Sequence, residues 1–210
     1  MAEDTHRTPL PARRHLSSRL AQQLEFLVEV DRLKSVLRQT LLTDKSRREN
    51  SAEHTWHLAL MASVLAEHAT ETVDVGRVVQ MILLHDIVEI DAGDTFAYDA
   101  SGYEDKDERE RAAARRIFGM LPEDQSESCW TLWREFEDRE TMEARFANAL
   151  DRLQPMLHNV LTDGHTWQQH GIVKAQVVDR NKIIAEGAPE LWEYVERFLE
   201  EAVAEGILDV

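Results

Sequence analysis

The sequence predicts an all-α protein, with about eight or nine helices in a single domain. Apolar residues recur at helical spacing along most of the chain, as at Leu20, Leu24 and Leu27 near its start. The 210 residues include only 8 glycines and 5 prolines, so few loops are expected. Alternation of apolar and polar residues does not persist anywhere, and no strand is predicted.

Apolar faces and capping residues predict where each helix begins and ends. Residues 1–14 contain two prolines and several charges, and we expect a flexible arm before a domain over residues 15–210. A first helical region runs from Leu16 to about Leu37, and a polar loop follows over residues 43–49.

Two capping patterns mark the next helices. Asn50 followed by Glu53 resembles a capping box, and Asp74 can cap the helix after it. Residues 91–105 are acidic, contain two glycines and are expected to form a long loop. Further helices are predicted over 106–119, 123–138, a segment that begins near Thr141, 166–186 and 189–205.

Composition limits the classes of function. The formal net charge of −16 disfavours binding to nucleic acids and to anionic membranes, although it permits a small anionic substrate in a local basic site. Cys129 is the only cysteine, which excludes a disulfide framework and a cysteine-rich zinc site. Neither a signal peptide nor a run of roughly 18 apolar residues is visible, so we expect a soluble, cytoplasmic protein.

The dipeptide His85-Asp86 ends the apolar run over residues 78–84. A buried charge is costly unless it is paired or bound to a metal. Neighbouring residues differ by about 100° around a helix, so both side chains can reach a metal at its edge. Glu89 lies four residues after His85, on the same face. A histidine at a helix end beside a capping aspartate is the alternative interpretation.

His54 falls in the first turn of the helix that Asn50 begins, just after Arg47 and Arg48. A helix N-terminus with nearby arginines suits a phosphate group, and an ordinary solvated turn is the alternative.

Asp151 flanks an apolar stripe that includes Leu150 and Leu153, where it could also simply pair with an arginine. Taken together, two histidines and two aspartates from three helices suit a divalent transition metal with open positions, such as manganese, cobalt, iron, nickel or zinc.

The order His…His-Asp…Asp resembles the HD-domain superfamily. Segments 49–57, 85–89 and 93–94, together with Asp151, are similar to its 5′-deoxynucleotidase branch and the eukaryotic HD-domain-containing relatives of that branch. The resemblance spans about residues 30–155, and the helices over 156–210 continue it more weakly. It implies a helical HD-domain bundle and a homodimer.

The resemblance also implies a role for each site residue. His54, His85, Asp86 and Asp151 would ligate one metal. Glu89 would orient or activate the attacking water, and Asp94 would be a second carboxylate near the reacting phosphate. Arg38 would grip that phosphate, with support from Arg47 and Arg48. The implied reaction releases nucleoside and phosphate from a nucleoside 5′-monophosphate.

One departure from the branch concerns sugar selectivity. Enzymes of this type carry a tryptophan directly after the phosphate-binding arginine, where it excludes a 2′-hydroxyl. Gln39, Thr40 and Leu41 follow Arg38 instead. The sequence therefore predicts that a ribonucleotide, or another small phosphomonoester, is accepted as well as a deoxyribonucleotide.

Three other functions are alternatives. HD enzymes with two metals recruit extra histidines between the dipeptide and the last aspartate, but residues 87–150 contain none, which favours one metal and disfavours an oxygenase. An alarmone or nucleoside triphosphate hydrolase stays open, as does a non-catalytic metal-binding scaffold.

His57 is interpreted as a packing residue or as a support for the metal ligands, and His158, His165 and His170 as surface or core residues.

Overall fold

The structure is a computed structural model that describes residues 11–210. A two-stranded antiparallel sheet, four short 3-10 helices and eleven α-helical segments make up this part of the chain. The strands are β1 (Leu37–Leu41) and β2 (Arg48–Asn50), and the 3-10 helices are Arg13–His15, Asp31–Ser35, Ala66–His68 and Asp86–Val88. The α-helices are α1 (Ser18–Val30), α2 (Ser51–Leu65), α3 (Val75–His85), α4 (Glu89–Ala92), α5 (Lys106–Phe118), α6 (Glu123–Asp138), α7 (Met142–Leu161), α8 (His165–His170), α9 (Lys174–Asn181), α10 (Ile184–Gly187) and α11 (Pro189–Ala204).

Helices dominate the described residues, so the all-α prediction is confirmed. The predicted capping box is present: Glu53 N donates to Asn50 Oδ1 (3.0 Å), and Asn50 N donates to Glu53 Oε2 (3.2 Å). Asp74 caps α3 by accepting from Arg77 N at 3.1 Å. Of the predicted N-terminal arm, residues 1–10 lie outside the described residues.

The first helical region is shorter than its apolar spacing predicted. α1 ends at Val30, a 3-10 turn follows, and the chain is extended from Leu37 onwards. Leu33 is buried, whereas Leu37 is 52% exposed. The apolar residues after Val30 therefore do not lie on one continuous helix face.

The prediction that the chain has no strands is wrong over residues 37–50. β1 pairs with β2, Leu37 lies opposite Asn50, and Leu41 lies opposite Arg48. This hairpin replaces the end of the predicted loop over residues 43–49. Strands of five and three residues are too short, and β1 too polar, for an alternating pattern to be recognised.

The helix predicted over residues 166–186 is three shorter helices, α8, α9 and α10. Gly171 ends α8 with a left-handed backbone (φ 61°), a conformation that glycine adopts without strain at helix ends. The apolar residues of the region still face the core, and their spacing alone did not reveal the break.

Helix α7 is the centre of the main core. Its apolar side chains, among them Phe146, Leu150 and Leu153, pack with buried residues of α2, α3 and α11. α10 lies directly against α7, because a Cβ at Gly187 would approach Arg145 O to 2.3 Å. This packing fixes the position of α7, which carries Asp151.

A second core cluster joins α1 and α5 to the segment after α3. Ile82 belongs to the main core, whereas Ile87 and Val88 belong to the second cluster. The dipeptide His85-Asp86 therefore lies at the junction of two packed clusters, which hold it from both sides. No helix within residues 11–210 has both the length and the apolar character needed to cross a lipid bilayer.

Candidate active site

His54 of α2 and His85 at the end of α3 lie side by side, with ring centroids 5.9 Å apart. His54 Nδ1 donates to Gln154 Oε1 (3.1 Å), and His85 Nδ1 donates to the carbonyl of Ile82 (2.7 Å). A neutral imidazole that donates through Nδ1 carries its lone pair on Nε2. Both Nε2 atoms therefore present lone pairs to the same small region.

Asp86 and Asp151 face these two nitrogens. Asp151 Oδ1 lies 3.0 Å from His54 Nε2 and 3.7 Å from His85 Nε2. Asp86 Oδ1 lies 3.0 Å from His85 Nε2, and Asp86 Oδ2 lies 4.0 Å from His54 Nε2. The structure thus brings together all four residues for which the sequence predicted metal ligation.

This donor set fits a divalent metal. His85 Nε2 is buried and, among the described residues, makes no hydrogen bond, although Asp86 is close to it. Burial opposes a charge on His85, yet Asp86 and Asp151 raise its pKa well above 6.5. The two carboxylates therefore attract positive charge to this point. Two imidazole nitrogens with carboxylate oxygens suit a borderline transition metal.

Arg38 reaches the metal-ligand cluster from β1. Its Nη1 donates to Asp86 Oδ2 (3.0 Å) and lies 3.8 Å from Asp94 Oδ1. Burial disfavours its charge, but Asp86 and Glu89 hold the pKa of Arg38 above its ordinary value, so the guanidinium stays charged. Burial also raises the pKa of Asp94. Arg38 and Asp94, both predicted site residues, lie in the same cavity.

Glu89 begins α4 and lines the cavity beside Asp86. Its Oε2 accepts a hydrogen bond from Ser51 Oγ at 2.6 Å. Burial, together with the charge of Asp86, raises the pKa of Glu89 well above 4.5. A raised pKa moves a carboxyl group toward the range in which general acids and bases work.

The structure does not bring Arg47 and Arg48 to this cavity. Arg47 forms a two-pronged ion pair with the exposed carboxylate of Glu53, at 2.8 and 2.6 Å. Arg48 belongs to β2, and neither arginine is among the residues that line the cavity. Glu53 closes the capping box of α2, so its negative charge holds Arg47 at the surface.

Gln154 contacts the metal-ligand candidate His54 on the side away from Asp151. Its Oε1 accepts from His54, and its Nε2 donates to Glu49 Oε1 at 2.7 Å. The same Nε2 lies 3.4 Å from His57 Nδ1 and 3.2 Å from His158 Nε2. Glu49, His57 and His158 are close enough together to share a cation, but the Gln154 amide already lies within hydrogen-bonding distance of all three.

The cavity extends beyond the metal-ligand candidates Asp86 and Asp151. It has a volume of about 280 Å³. Its further wall includes aromatic and basic side chains that the sequence did not single out for the site, namely Tyr98, Tyr103, Trp167, Arg152 and Arg180. No spacing rule connects α9 with Asp151. Tyr98 and Tyr103 lie between α4 and α5, and the other three residues belong to α7, α8 and α9, so this wall forms only in the folded chain.

A family model described as HD domain matches residues 30–192. The chain belongs to the HD-domain family. The match includes all four residues predicted to bind the metal, and the two-stranded hairpin lies within it as well.

Proteins named 5′-deoxynucleotidase HDDC2 are similar to this chain. The human protein is 33% identical over 135 residues, and the Bos taurus protein is 32% identical over the same length. These matches cover 64% of this chain and 65% and 64% of the respective relatives, so the chain matches slightly less than two thirds of their length.

A solved structure is similar over nearly the whole chain. A protein described as a predicted metal-dependent phosphohydrolase from Magnetospirillum magnetotacticum MS-1 is 56% identical, with a TM-score of 0.88 over 92% of this chain and 97% of that one. An HD-domain phosphohydrolase from Listeria innocua is 18% identical with a TM-score of 0.58, and it shares the fold.

Proposed function

We propose that the protein is a metal-dependent phosphomonoesterase that releases phosphate from nucleoside 5′-monophosphates. The observation that carries this proposal is the cavity itself. It brings a buried His–Asp metal-ligand set, a permanently charged arginine and a carboxyl group with a raised pKa to one place. Metal-dependent phosphohydrolysis needs these three components.

His54, His85, Asp86 and Asp151 would hold the metal, and manganese, cobalt, iron, nickel and zinc all suit these donors. A divalent metal supplies Lewis acidity, which polarises a phosphoryl oxygen and lowers the pKa of water. The names of the HDDC2 relatives and of the Magnetospirillum protein support a hydrolase.

The chain's own residues perform the remaining tasks. Arg38 neutralises charge on the phosphoryl group, and Asp94 orients the Arg38 guanidinium, 3.8 Å away. Glu89 takes or steers the proton of the attacking water, and Ser51 fixes the direction of its carboxyl group. Because Arg47 and Arg48 lie outside the cavity, Arg38 is the basic residue that we assign to the reacting phosphate.

The sugar is expected to be either deoxyribose or ribose. Gln39 and Thr40 line the cavity next to Arg38, where the related deoxynucleotidases carry a tryptophan. Without that bulky ring, a 2′-hydroxyl meets no predicted obstruction. The homodimer and the cytoplasmic location stay predictions of the sequence.

The test is phosphate release from matched deoxyribo- and ribonucleoside 5′-monophosphates, with each metal added to stripped protein. We expect turnover of both series, with kcat/KM values within about tenfold of each other, a difference of about 1.4 kcal/mol. If the protein hydrolyses only triphosphates or alarmones, the proposed monophosphate substrate is wrong. Stoichiometric metal binding without phosphate release from any nucleotide would instead support a non-catalytic scaffold.

A further inference from the structure

Arg152 and Arg180 face the same cavity from α7 and α9. Arg152 directly follows the metal-ligand candidate Asp151 in the chain. Both arginines line the cavity, yet neither is needed to bind the metal or the reacting phosphate in the proposed function. Their position therefore calls for a separate explanation.

These two arginines have few partners for a chain so rich in acids. The sequence contains 40 acidic and 24 basic residues. Within residues 11–210, many arginines form ion pairs, as Arg38 does with Asp86, but no carboxylate lies within 4.0 Å of Arg152 or Arg180. The Nε atoms of both are buried without a hydrogen-bond partner among the described residues.

The Arg180 guanidinium is nevertheless held in place. It lies over the ring of Tyr103, 4.9 Å from the centroid, and donates to the Tyr103 hydroxyl. Burial and the neighbouring charge of Arg152 lower the pKa of Arg180. Two like charges are thus kept near each other, and a bound anion would relieve both the repulsion and the unmet hydrogen bonds.

We propose that Arg152 and Arg180 form a second anion-binding subsite, and that the preferred substrate is a phosphomonoester bearing a second phosphate group. One phosphate reacts beside Arg38 and the metal ligands, while the other binds the two guanidinium groups. This inference rests on the proposed function for the place of the reacting phosphate. Guanidinium groups bind phosphate through paired, charge-assisted hydrogen bonds.

Two matched pairs of substrates test the subsite. One pair is adenosine 5′-monophosphate and adenosine 3′,5′-bisphosphate; the other is fructose 6-phosphate and fructose 1,6-bisphosphate. We expect kcat/KM to be about tenfold or more higher for the bisphosphate of at least one pair, as one additional charge-assisted contact would give. The pair that shows the preference tells whether the second phosphate belongs to a nucleotide or to a sugar.

Variants of the two arginines test whether they cause the preference for the bisphosphate. Arg180→Met and Arg152→Met are each expected to reduce the bisphosphate-to-monophosphate ratio of kcat/KM by about tenfold, and Arg180→Lys to restore part of it. Arg134→Met is the matched control, because Arg134 pairs with Asp138 at the surface of α6 and does not line the cavity. The control is expected to keep the wild-type ratio.

Binding to metal-stripped wild-type protein, measured by calorimetry, separates the two proposals and needs no variant. Tighter binding of a bisphosphate than of its monophosphate supports the subsite even if no substrate is turned over, in which case the proposed function alone fails. Equal binding and equal kcat/KM within both pairs would overturn the subsite, whatever the rate of phosphate release.

Discussion

At the scale of single residues, the direction of each histidine nitrogen decides what the site can bind. Backbone and amide oxygens occupy the Nδ1 side of His85 and His54, which leaves both Nε2 atoms to face Asp151. Supporting hydrogen bonds of this kind fix the tautomer of a ligand histidine and its orientation. Gln154 makes such a hydrogen bond to the metal-ligand candidate His54, and Gln154 is fully buried.

Replacing Gln154 tests the support that it gives to His54. In Gln154→Leu the Nδ1 atom of His54 loses its acceptor, and we expect metal affinity to fall by about 10- to 100-fold. Metal titration by calorimetry measures this change. Gln168→Leu is the control, since Gln168 bonds backbone oxygens of Asp163 and Ile207 outside the cavity. An unchanged dissociation constant in Gln154→Leu would show that His54 needs no such support.

Glu89 is expected to transfer a proton and not to bind the metal. Glu89→Gln keeps the shape of the side chain and its contact with Ser51, but it cannot accept a proton. We expect kcat to fall by about 10²- to 10⁴-fold while the bound metal content is unchanged. Steady-state phosphate release and elemental analysis of the same sample measure both quantities. Loss of the metal together with activity would instead make Glu89 a ligand.

The metal-ligand candidates could be predicted from the sequence because the dipeptide and the two single residues follow an ordered pattern on helices. Gln154 and Arg180 could not be predicted in this way. Gln154 contacts His54 across 100 positions of sequence, and Arg180 contacts Tyr103 across 77. Such contacts depend on how the helices pack, and no local spacing encodes them.

At the scale of elements, the β-hairpin is the part of the fold that helical periodicity missed. β1 delivers Arg38 to the cavity, and the backbone of β1 also binds α7 and α8. His158 Nδ1 donates to Leu41 O (3.0 Å), and Thr166 Oγ1 donates to Gln39 O (3.2 Å). A short polar strand held by such contacts leaves little apolar pattern in the sequence, whereas the long amphipathic helices were predicted closely.

Helix α3, which ends at His85, is tied to α6 by an ion pair. Arg77 Nε donates to Glu135 Oε1 (3.1 Å), Arg77 Nη2 bonds the other oxygen, and Thr141 Oγ1 also donates to Glu135 (2.7 Å). The bond to Arg77 lowers the pKa of Glu135 below 4.5, although burial partly opposes the shift. The pair therefore stabilises the fold while Glu135 is ionised.

Glu135→Gln is expected to reduce the free energy of unfolding by about 0.5–1 kcal/mol at pH 7. Because the folded pKa of Glu135 lies below its unfolded value, the stabilisation is complete above about pH 4.5 and is lost as the pH falls through the folded pKa. Urea unfolding at several pH values measures the difference. Glu193→Gln, in an exposed pair with Arg197, is the control. A deficit that persists unchanged in acid would contradict the ionic explanation.

At the scale of the whole molecule, several arginines meet in one cavity of a chain whose net charge is strongly negative. The chain carries a net charge of −16, yet Arg38, Arg152 and Arg180 line one cavity with three of the four metal-ligand candidates. A general negative field disfavours nucleic acids and other polyanions. Acidic side chains such as Glu110 and Glu137 also line the cavity, so binding of a small phosphate compound would depend on the arginines together with a bound metal.

The measurement that tests the central claim most directly is a joint titration of bound metal and phosphate release. Metal is added to stripped wild-type protein and to Asp151→Asn, with a nucleoside 5′-monophosphate as substrate. We expect wild-type release to rise and saturate as one equivalent of metal binds, and Asp151→Asn to bind metal at least about tenfold more weakly and to release phosphate correspondingly more slowly at limiting metal. Full phosphate release from stripped protein, or wild-type binding and turnover in Asp151→Asn, would contradict the account.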